Sequence, residues 1–139
     1  MFVDNKKIIL TSFFGLVFFI LDRFLKILAV SGKIKFIANE NMALGFGGKI
    51  SNLFFYIMVG ILLILVVFFT LKFFRQKKYW LTTGWFYIFL GAISNLIDRF
   101  VYSSVIDYIN FYLFRNNIAD ILIWVGILMI VFYNFENKK

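Results

Sequence analysis

Four long runs of apolar residues divide the chain, and charged or polar positions bound each run. The second run is the clearest, because residues 53–71 hold 19 positions without a single charge. About 20 apolar residues cross the hydrocarbon core of a bilayer as an α-helix. The pattern therefore predicts an all-α integral membrane protein, a four-transmembrane-helix bundle that forms one membrane domain over residues 1–139. The predicted spans are residues 8–30, 53–71, 80–97 and 118–135.

Two longer connections separate these spans, residues 31–52 and residues 98–117. The first is rich in glycine and predicts a small β-like loop. The second is rich in aromatic residues and predicts an interfacial segment that lies on the membrane or packs on the bundle. Because they follow the first and third spans, both connections should lie at the same end of the bundle.

The basic residues indicate which end that is. Eight Lys and Arg residues flank the other ends of the spans, four of them between Lys72 and Lys78, whereas five are spread over the two longer connections. The positive-inside rule then places both termini in the cytoplasm and the two connections outside. The formal charge of +8 is accordingly interpreted as topology and contact with anionic lipid headgroups, and no nucleic-acid partner is expected.

Composition limits the chemistry that this chain can perform. It contains no Cys and no His, which excludes zinc proteases, Cys–His enzymes and the Ser–His–Asp triad. Carboxylates, Ser or Thr with Lys, and Tyr are the remaining candidates for hydrolytic chemistry. No metal or cofactor is expected.

Four acidic residues fall at one depth of the predicted bundle, close to the outer interface: Asp22, Asp98, Asp107 and Asp120. An ionisable group inside the apolar region costs about 2.5 to 3.5 kcal/mol, so such groups usually face the bundle interior and have a function. Gly91, Asn95 and Asp98 share one helical face. Gly91 should let another helix approach closely, and Asn95 should then point toward a neighbouring acid.

Three of these acids also have a structural interpretation. Asp22 and Lys26 are four residues apart and can pair on one helix face. Asp98 with Arg99 can act as an interfacial stop signal. Asn117 can cap the fourth span, with Asp120 favoured by the helix dipole. Taken together, four acids at one depth favour a site.

Three blocks at close spacing resemble the signature of the lipoprotein signal peptidases, also called signal peptidase II. They are GAISNLIDRF (91–100), VIDYINF (105–111) and NIAD (117–120). The family pattern is roughly G-A-x-x-N-x-x-D-R, then V-x-D-[FY]-[IL], then F-N-x-A-D. Asp22 with Lys26 also resembles the family's D-x-x-x-K, and residues 41–47 resemble its N-x-G-x-x-F-G loop. Ala43 and Asn116 depart from that pattern, where Gly and Phe are usual.

The resemblance implies a bacterial cell-membrane enzyme with its active site at the outer face. Its substrate would be a prolipoprotein whose lipobox Cys carries a diacylglyceryl group, cut just before that Cys. Globomycin-type inhibitors are expected to block it. The motif match implies Asp107 and Asp120 as the catalytic pair. The implied substrate-binding or supporting residues are Asp22, Lys26, Asn41, Asn95, Asp98, Arg99 and Asn117.

Two neighbouring carboxylates can perform this hydrolysis without a metal. They cannot both ionise cheaply, so they share a proton, and one acts as general base on water while the other polarises the scissile carbonyl. Asp120 is expected to be the base, because the start of a helix favours a charged carboxylate. Asp107 is expected to be the acid, because an aromatic, apolar loop favours the neutral form.

Two other functions remain open from the sequence. One is a Ser–Lys protease that uses Ser94 and Lys26, although no nucleophile motif surrounds Ser94. The other is a small proton-coupled membrane transporter that uses the Asp residues as a relay. Transporters tend to place ionisable groups near the midplane and to contain repeats, and neither feature is visible here.

Overall fold

Four long helices dominate the structure, a computed structural model that describes residues 5–39, 52–111 and 114–136. Their bounds are α1 Asn5–Val30, α2 Asn52–Arg75, α3 Tyr79–Tyr102 and α4 Ile118–Glu136. Within the described residues, α2, α3 and α4 are long and apolar enough to cross a membrane. Because α1 carries Asp22, Arg23 and Lys26 in its second half, its crossing and the count of four spans stay predictions.

The helices extend beyond the predicted spans, and the expectation that the second connection begins at residue 98 is wrong. α3 continues to Tyr102, so Asp98 lies inside the helix. The helix ends where Ser103 adopts a left-handed backbone with φ 57° and its N–H donates to the Arg99 carbonyl at 3.0 Å. The charge of Asp98 does not end α3, because Arg23 and Lys26 form ion pairs with this carboxylate inside the bundle.

Short strands join the two connections. β1 (Ile37–Asn39) pairs antiparallel with β2 (Val105–Asp107), and β3 (Ile109–Phe111) pairs antiparallel with β4 (Phe114–Asn116). Asp107 therefore lies in a strand and not in an irregular loop. Since β1 follows α1 and β2 follows α3, this pairing brings the two connections to one end of the bundle.

Small residues let α3 and α4 pack very closely. The two helices are antiparallel, and Gly84 faces Gly126 while Gly91, seven residues later, faces Ala119. A Cβ on Gly91 would overlap the carbonyl oxygen of Ala119. Such close backbone approach is the usual way in which small residues favour helix pairing in a membrane. It confirms the role predicted for Gly91 and places the C-terminal half of α3 beside the start of α4.

Replacing Gly91 by alanine should lower the unfolding temperature in detergent. The new methyl group meets backbone and cannot be accommodated by a side-chain rotation, so we expect a loss of about 1 to 3 kcal/mol. Gly60→Ala is the matched control, because among the described residues no atom beyond its own stretch of helix lies within 4 Å of a Cβ built at Gly60. Equal unfolding temperatures for Gly91→Ala and Gly60→Ala would contradict the close packing of α3 on α4.

Candidate active site

A buried ammonium group joins α1 to α3. The Nζ atom of Lys26 lies 3.0 Å from Asp22 Oδ2 and 2.7 Å from Asp98 Oδ2, and the Lys26 side chain is 1% exposed. It also donates to Asn95 Oδ1 at 2.9 Å. Both carboxylates are fully buried. The pairing of Asp22 with Lys26 expected from their spacing is confirmed, but the lysine is shared with Asp98.

The two buried carboxylates, Asp22 and Asp98, accept further hydrogen bonds and one further ion pair. Arg23 forms an ion pair with Asp98 Oδ1, so two cations balance two anions in this ionic cluster of Asp22, Arg23, Lys26 and Asp98. Ser94 Oγ donates to Asp22 Oδ2 at 2.6 Å, and the Ile106 N–H donates to Asp98 Oδ2 at 3.3 Å. Buried charges are tolerated when they are paired and hydrogen-bonded in this way. A simple interfacial stop signal does not explain a fully buried Asp98.

Asn95 links the ionic cluster to Asp120. Its Oδ1 atom accepts from Lys26, and its Nδ2 atom donates to Asp120 Oδ1 at 2.7 Å. The Lys26 ammonium group can only donate hydrogen bonds, so the Asn95 carboxamide turns its oxygen toward Lys26. The NH₂ group of Asn95 then faces Asp120. The sequence prediction that Asn95 points toward a neighbouring acid is confirmed.

Asp107 lies at the end of β2 and is 3% exposed. Its Oδ2 atom accepts from Asn39 Nδ2 at 2.9 Å and its Oδ1 atom accepts from Asn117 Nδ2 at 2.8 Å. Asn39 reaches it diagonally across the β1–β2 pair, where Ile37 stands directly opposite Asp107. Residues on one face of such a pair are within side-chain reach.

Asn117 connects the two carboxylates that the motifs single out. Its Nδ2 atom donates to Asp107, while its Oδ1 atom accepts from the backbone N–H of Asp120 at 3.0 Å. The Asn117 N–H in turn donates to Asp120 Oδ2 at 3.3 Å. This reciprocal arrangement is a capping box, so the predicted helix cap is confirmed. The same residue thereby holds Asp107 next to Asp120.

A cavity of about 480 Å³ adjoins Asp107 on the side of α1 and β1. Asp120 is only partly buried, so it is the more accessible of the two carboxylates. Arg99 is also partly buried and interacts electrostatically with Asp120 and Asp107. The cavity is lined by Ala29, Gly32, Ile34, Lys35, Phe36, Ile37, Asp107, Tyr108 and Asn110.

The structure brings eight of the nine site residues expected from the sequence to one end of the bundle. The ninth, Asn41, lies outside the described residues. Within the described part of the chain, no group of three or more His, Cys, Asp or Glu is placed to hold a metal ion. The eight residues are Asp22, Lys26, Asn95, Asp98, Arg99, Asp107, Asn117 and Asp120.

Three further residues of this region were missed from the sequence: Arg23, Asn39 and Tyr108. Arg23 neutralises Asp98, and Asn39 donates to Asp107. Tyr108 donates its hydroxyl to Asp22 Oδ1 at 2.7 Å. Burial is the main cause that raises the pKa of Tyr108, and the bond to Asp22 adds to it. Only the position of Tyr108 inside the VIDYI block offered a signal in the sequence.

The surroundings of Asp107 differ from those assumed when it was expected to be the neutral acid. That expectation was based on an apolar loop, but two amide N–H groups reach its oxygens. Asp120 also accepts two N–H donors among the described residues. Hydrogen bonding therefore does not distinguish the two carboxylates, and the division of roles stays a prediction.

Ser94 and Lys26 do lie close together, with Oγ and Nζ 3.4 Å apart. However, Ser94 is fully buried and its hydroxyl donates to Asp22. The Lys26 side chain bridges Asp22 and Asp98, and the Ser94 hydroxyl donates to Asp22 and not to Lys26, so the two residues are not arranged as a nucleophile and its base. The geometry therefore argues against a Ser–Lys protease.

Removing the shared cation should destabilise the protein strongly. Lys26→Met leaves Asp22 and Asp98 with one cation between them, and breaking a buried pair costs about 3 to 5 kcal/mol. The double variant Lys26→Met/Asp22→Asn restores the charge balance and should recover at least about 1 kcal/mol of that loss. The free energy of unfolding in detergent is measured for the single and the double variant. Lys33→Met, at an exposed lysine, is the control. A Lys26→Met protein as stable as the unmodified chain would refute the role of this cation.

Comparison with known proteins agrees with the motifs. Residues 14–136 match the family described as signal peptidase (SPase) II. The lipoprotein signal peptidase of Wigglesworthia glossinidia brevipalpis is 33% identical over 114 residues, which cover 77% of this chain and 71% of that protein. The lipoprotein signal peptidase of Buchnera aphidicola subsp. Schizaphis graminum is 33% identical over 120 residues, covering 76% of each.

The fold has a close counterpart among solved structures. A bacterial membrane enzyme determined by the in meso method at 2.3 Å resolution superposes with a TM-score of 0.76. The match covers 97% of this chain and 91% of that one, at 24% sequence identity. The two chains therefore share one fold. The match over residues 14–136 and the two relatives at 33% identity show that the chain belongs to the signal peptidase II family of membrane proteases.

Proposed function

We propose that this chain is an aspartyl endopeptidase that removes the signal peptide from prolipoproteins by cutting before the diacylglyceryl-modified lipobox Cys. The observation that carries the proposal is the pair of carboxylates held together by one residue, Asn117, which contacts both Asp107 and Asp120. The relatives that the chain matches are named lipoprotein signal peptidases, which supports the same substrate class.

The proposed reaction needs only the two carboxylates and one water molecule. One carboxylate takes a proton from the water as it attacks the scissile carbonyl. The other, protonated, donates a hydrogen bond to that carbonyl and later gives its proton to the leaving amine of the Cys. Like charges held close together favour sharing one proton, which keeps one acid and one base available at the same pH.

The surroundings of the pair suit this chemistry. Asn39, Asn95 and Asn117 hold the carboxylates through neutral amides, so they orient the oxygens without adding charge. Preorganised donors of this kind lower the cost of rearrangement during the reaction. The cavity beside Asp107 offers room for the peptide that flanks the bond, with apolar walls from Ile34, Phe36 and Ile37.

We place the pair at the outer face of the bacterial cell membrane. The diacylglyceryl chains of the substrate stay in the lipid, so the scissile bond lies near an interface. The two carboxylates lie at the end of the bundle where α3 ends and α4 begins. The cluster of basic residues between Lys72 and Lys78 marks the opposite end as cytoplasmic.

A proton-coupled transporter is supported less well by this geometry. The acids are gathered at one end of the helices, and two of them are neutralised by Lys26 and Arg23. A relay across the membrane would need ionisable groups along the path, usually near the midplane.

Asp107→Asn and Asp120→Asn should each reduce cleavage of a diacylglyceryl peptide by at least about 100-fold, since a carboxamide can neither take nor give the proton. The substitutions preserve side-chain size, so the proteins should still fold. Glu136→Gln, at the far end of α4, is the matched control and should cleave normally. Near-full activity of either Asn variant in detergent would show that the assigned pair is wrong.

The orientation can be tested with a reporter that is active only in the cytoplasm. It should be active when fused after Lys139 or inserted between Lys72 and Lys78. It should be inactive when inserted near Lys35 or Ser103, which lie at the end that carries the carboxylates. The reverse pattern would place the carboxylates on the cytoplasmic side and exclude the proposed site of cleavage.

A further inference from the structure

The first turn of α4 has three backbone N–H groups with partners from three different segments. Ile118 N donates to the Tyr108 hydroxyl at 3.1 Å, and Ala119 N donates to Asp22 Oδ1 at 3.2 Å. Asp120 N donates to Asn117 Oδ1 at 3.0 Å. The first N–H groups of a helix have no partner within the helix. Here a tyrosine from the β2–β3 segment and an aspartate from α1 supply two of the missing acceptors.

The Tyr108 hydroxyl takes part in two hydrogen bonds of opposite direction. It accepts from Ile118 N and donates to Asp22 Oδ1 at 2.7 Å. Asp22 Oδ1 also accepts from Ala119 N. The hydroxyl, the carboxylate and the helix start therefore form one closed set of hydrogen bonds, and removing the hydroxyl would break two of them.

These hydrogen bonds connect the backbone beside Asp107 to the first turn of α4, which carries Asp120. Tyr108 directly follows Asp107 in the chain, and Ile118 lies two residues before Asp120. We propose that Tyr108 is a positioning residue for the peptidase reaction, whose hydroxyl fixes the end of β2 against the first turn of α4. This inference depends on the proposed function, because it concerns the relative placement of Asp107 and Asp120.

The chemistry of the hydroxyl fits this role. Because burial raises its pKa, Tyr108 stays protonated at working pH and remains able to donate to Asp22 while accepting from Ile118. A phenylalanine occupies nearly the same space but has neither a donor nor an acceptor. The family pattern accepts Phe or Tyr at this position, so the resemblance does not imply a role for the hydroxyl. It also indicates that Tyr108→Phe will fold.

The effect on catalysis should appear in turnover and not in substrate binding. Reacting groups that are held about 1 Å from their best placement lose much of their rate. Tyr108 lies one residue from Asp107, and its hydroxyl contacts Asp22 and the α4 backbone. For Tyr108→Phe we therefore expect kcat to fall about tenfold while KM stays within about twofold.

The test compares kcat and KM of the unmodified chain, Tyr108→Phe and Tyr102→Phe on one diacylglyceryl peptide in detergent. Tyr102 is exposed at the end of α3, so its Phe variant should match the unmodified chain. All three are assayed well below their unfolding temperatures. A Tyr108→Phe enzyme with unchanged kcat would overturn the proposal, as would one that loses activity through a higher KM alone. An unmodified chain that does not cleave would refute the proposed function, and this inference with it.

Discussion

The buried ammonium group of Lys26 needs acceptors on every side, and meeting that need determines how α1 is placed on α3. Its partners are two carboxylates and the Asn95 carbonyl oxygen. In a bundle surrounded by lipid, a charge without such partners would be very costly. The second cation, Arg23, completes the neutral balance with Asp98. The charges of the cluster therefore balance locally, inside the bundle.

Asn95 connects the ionic cluster to the candidate active site. A carboxamide can rotate by half a turn, which exchanges the positions of its oxygen and its NH₂ group. Lys26 prevents this rotation in Asn95, because the ammonium group needs an acceptor and not a second donor. The NH₂ group then faces Asp120 at 2.7 Å. The contact also needs α3 and α4 to be close, which Gly91 permits by facing Ala119 without a side chain. Electrostatics and packing therefore act on the same short stretch of α3.

The sequence allowed much of this site to be predicted because its signals are periodic or local. Gly91, Asn95 and Asp98 lie on one face of α3 because of their helical spacing alone. Asn117 and Asp120 have the spacing of a helix cap. The contributions of Arg23, Asn39 and Tyr108 could not be predicted in the same way. Their partners lie 68 to 86 residues away in the chain, and only the fold brings them together.

The surroundings of Asp107 show a similar limit. Its neighbours in the sequence are apolar and aromatic, which suggested a neutral carboxyl. The β1–β2 pairing instead brings Asn39 to it, and the capping residue of α4 supplies a second amide. Local composition describes what is near a residue along the chain, whereas the state of a carboxyl depends on what is near it in space.

The most direct test of the account is to incubate the purified chain with a synthetic peptide that carries a diacylglyceryl Cys, together with EDTA and a thiol-blocking reagent. Mass spectrometry should find two fragments, separated at the bond just before the modified Cys, and the same peptide without the lipid should be cut far less. No cleavage, or cleavage that returns only when zinc is added, would contradict a reaction carried by Asp107 and Asp120.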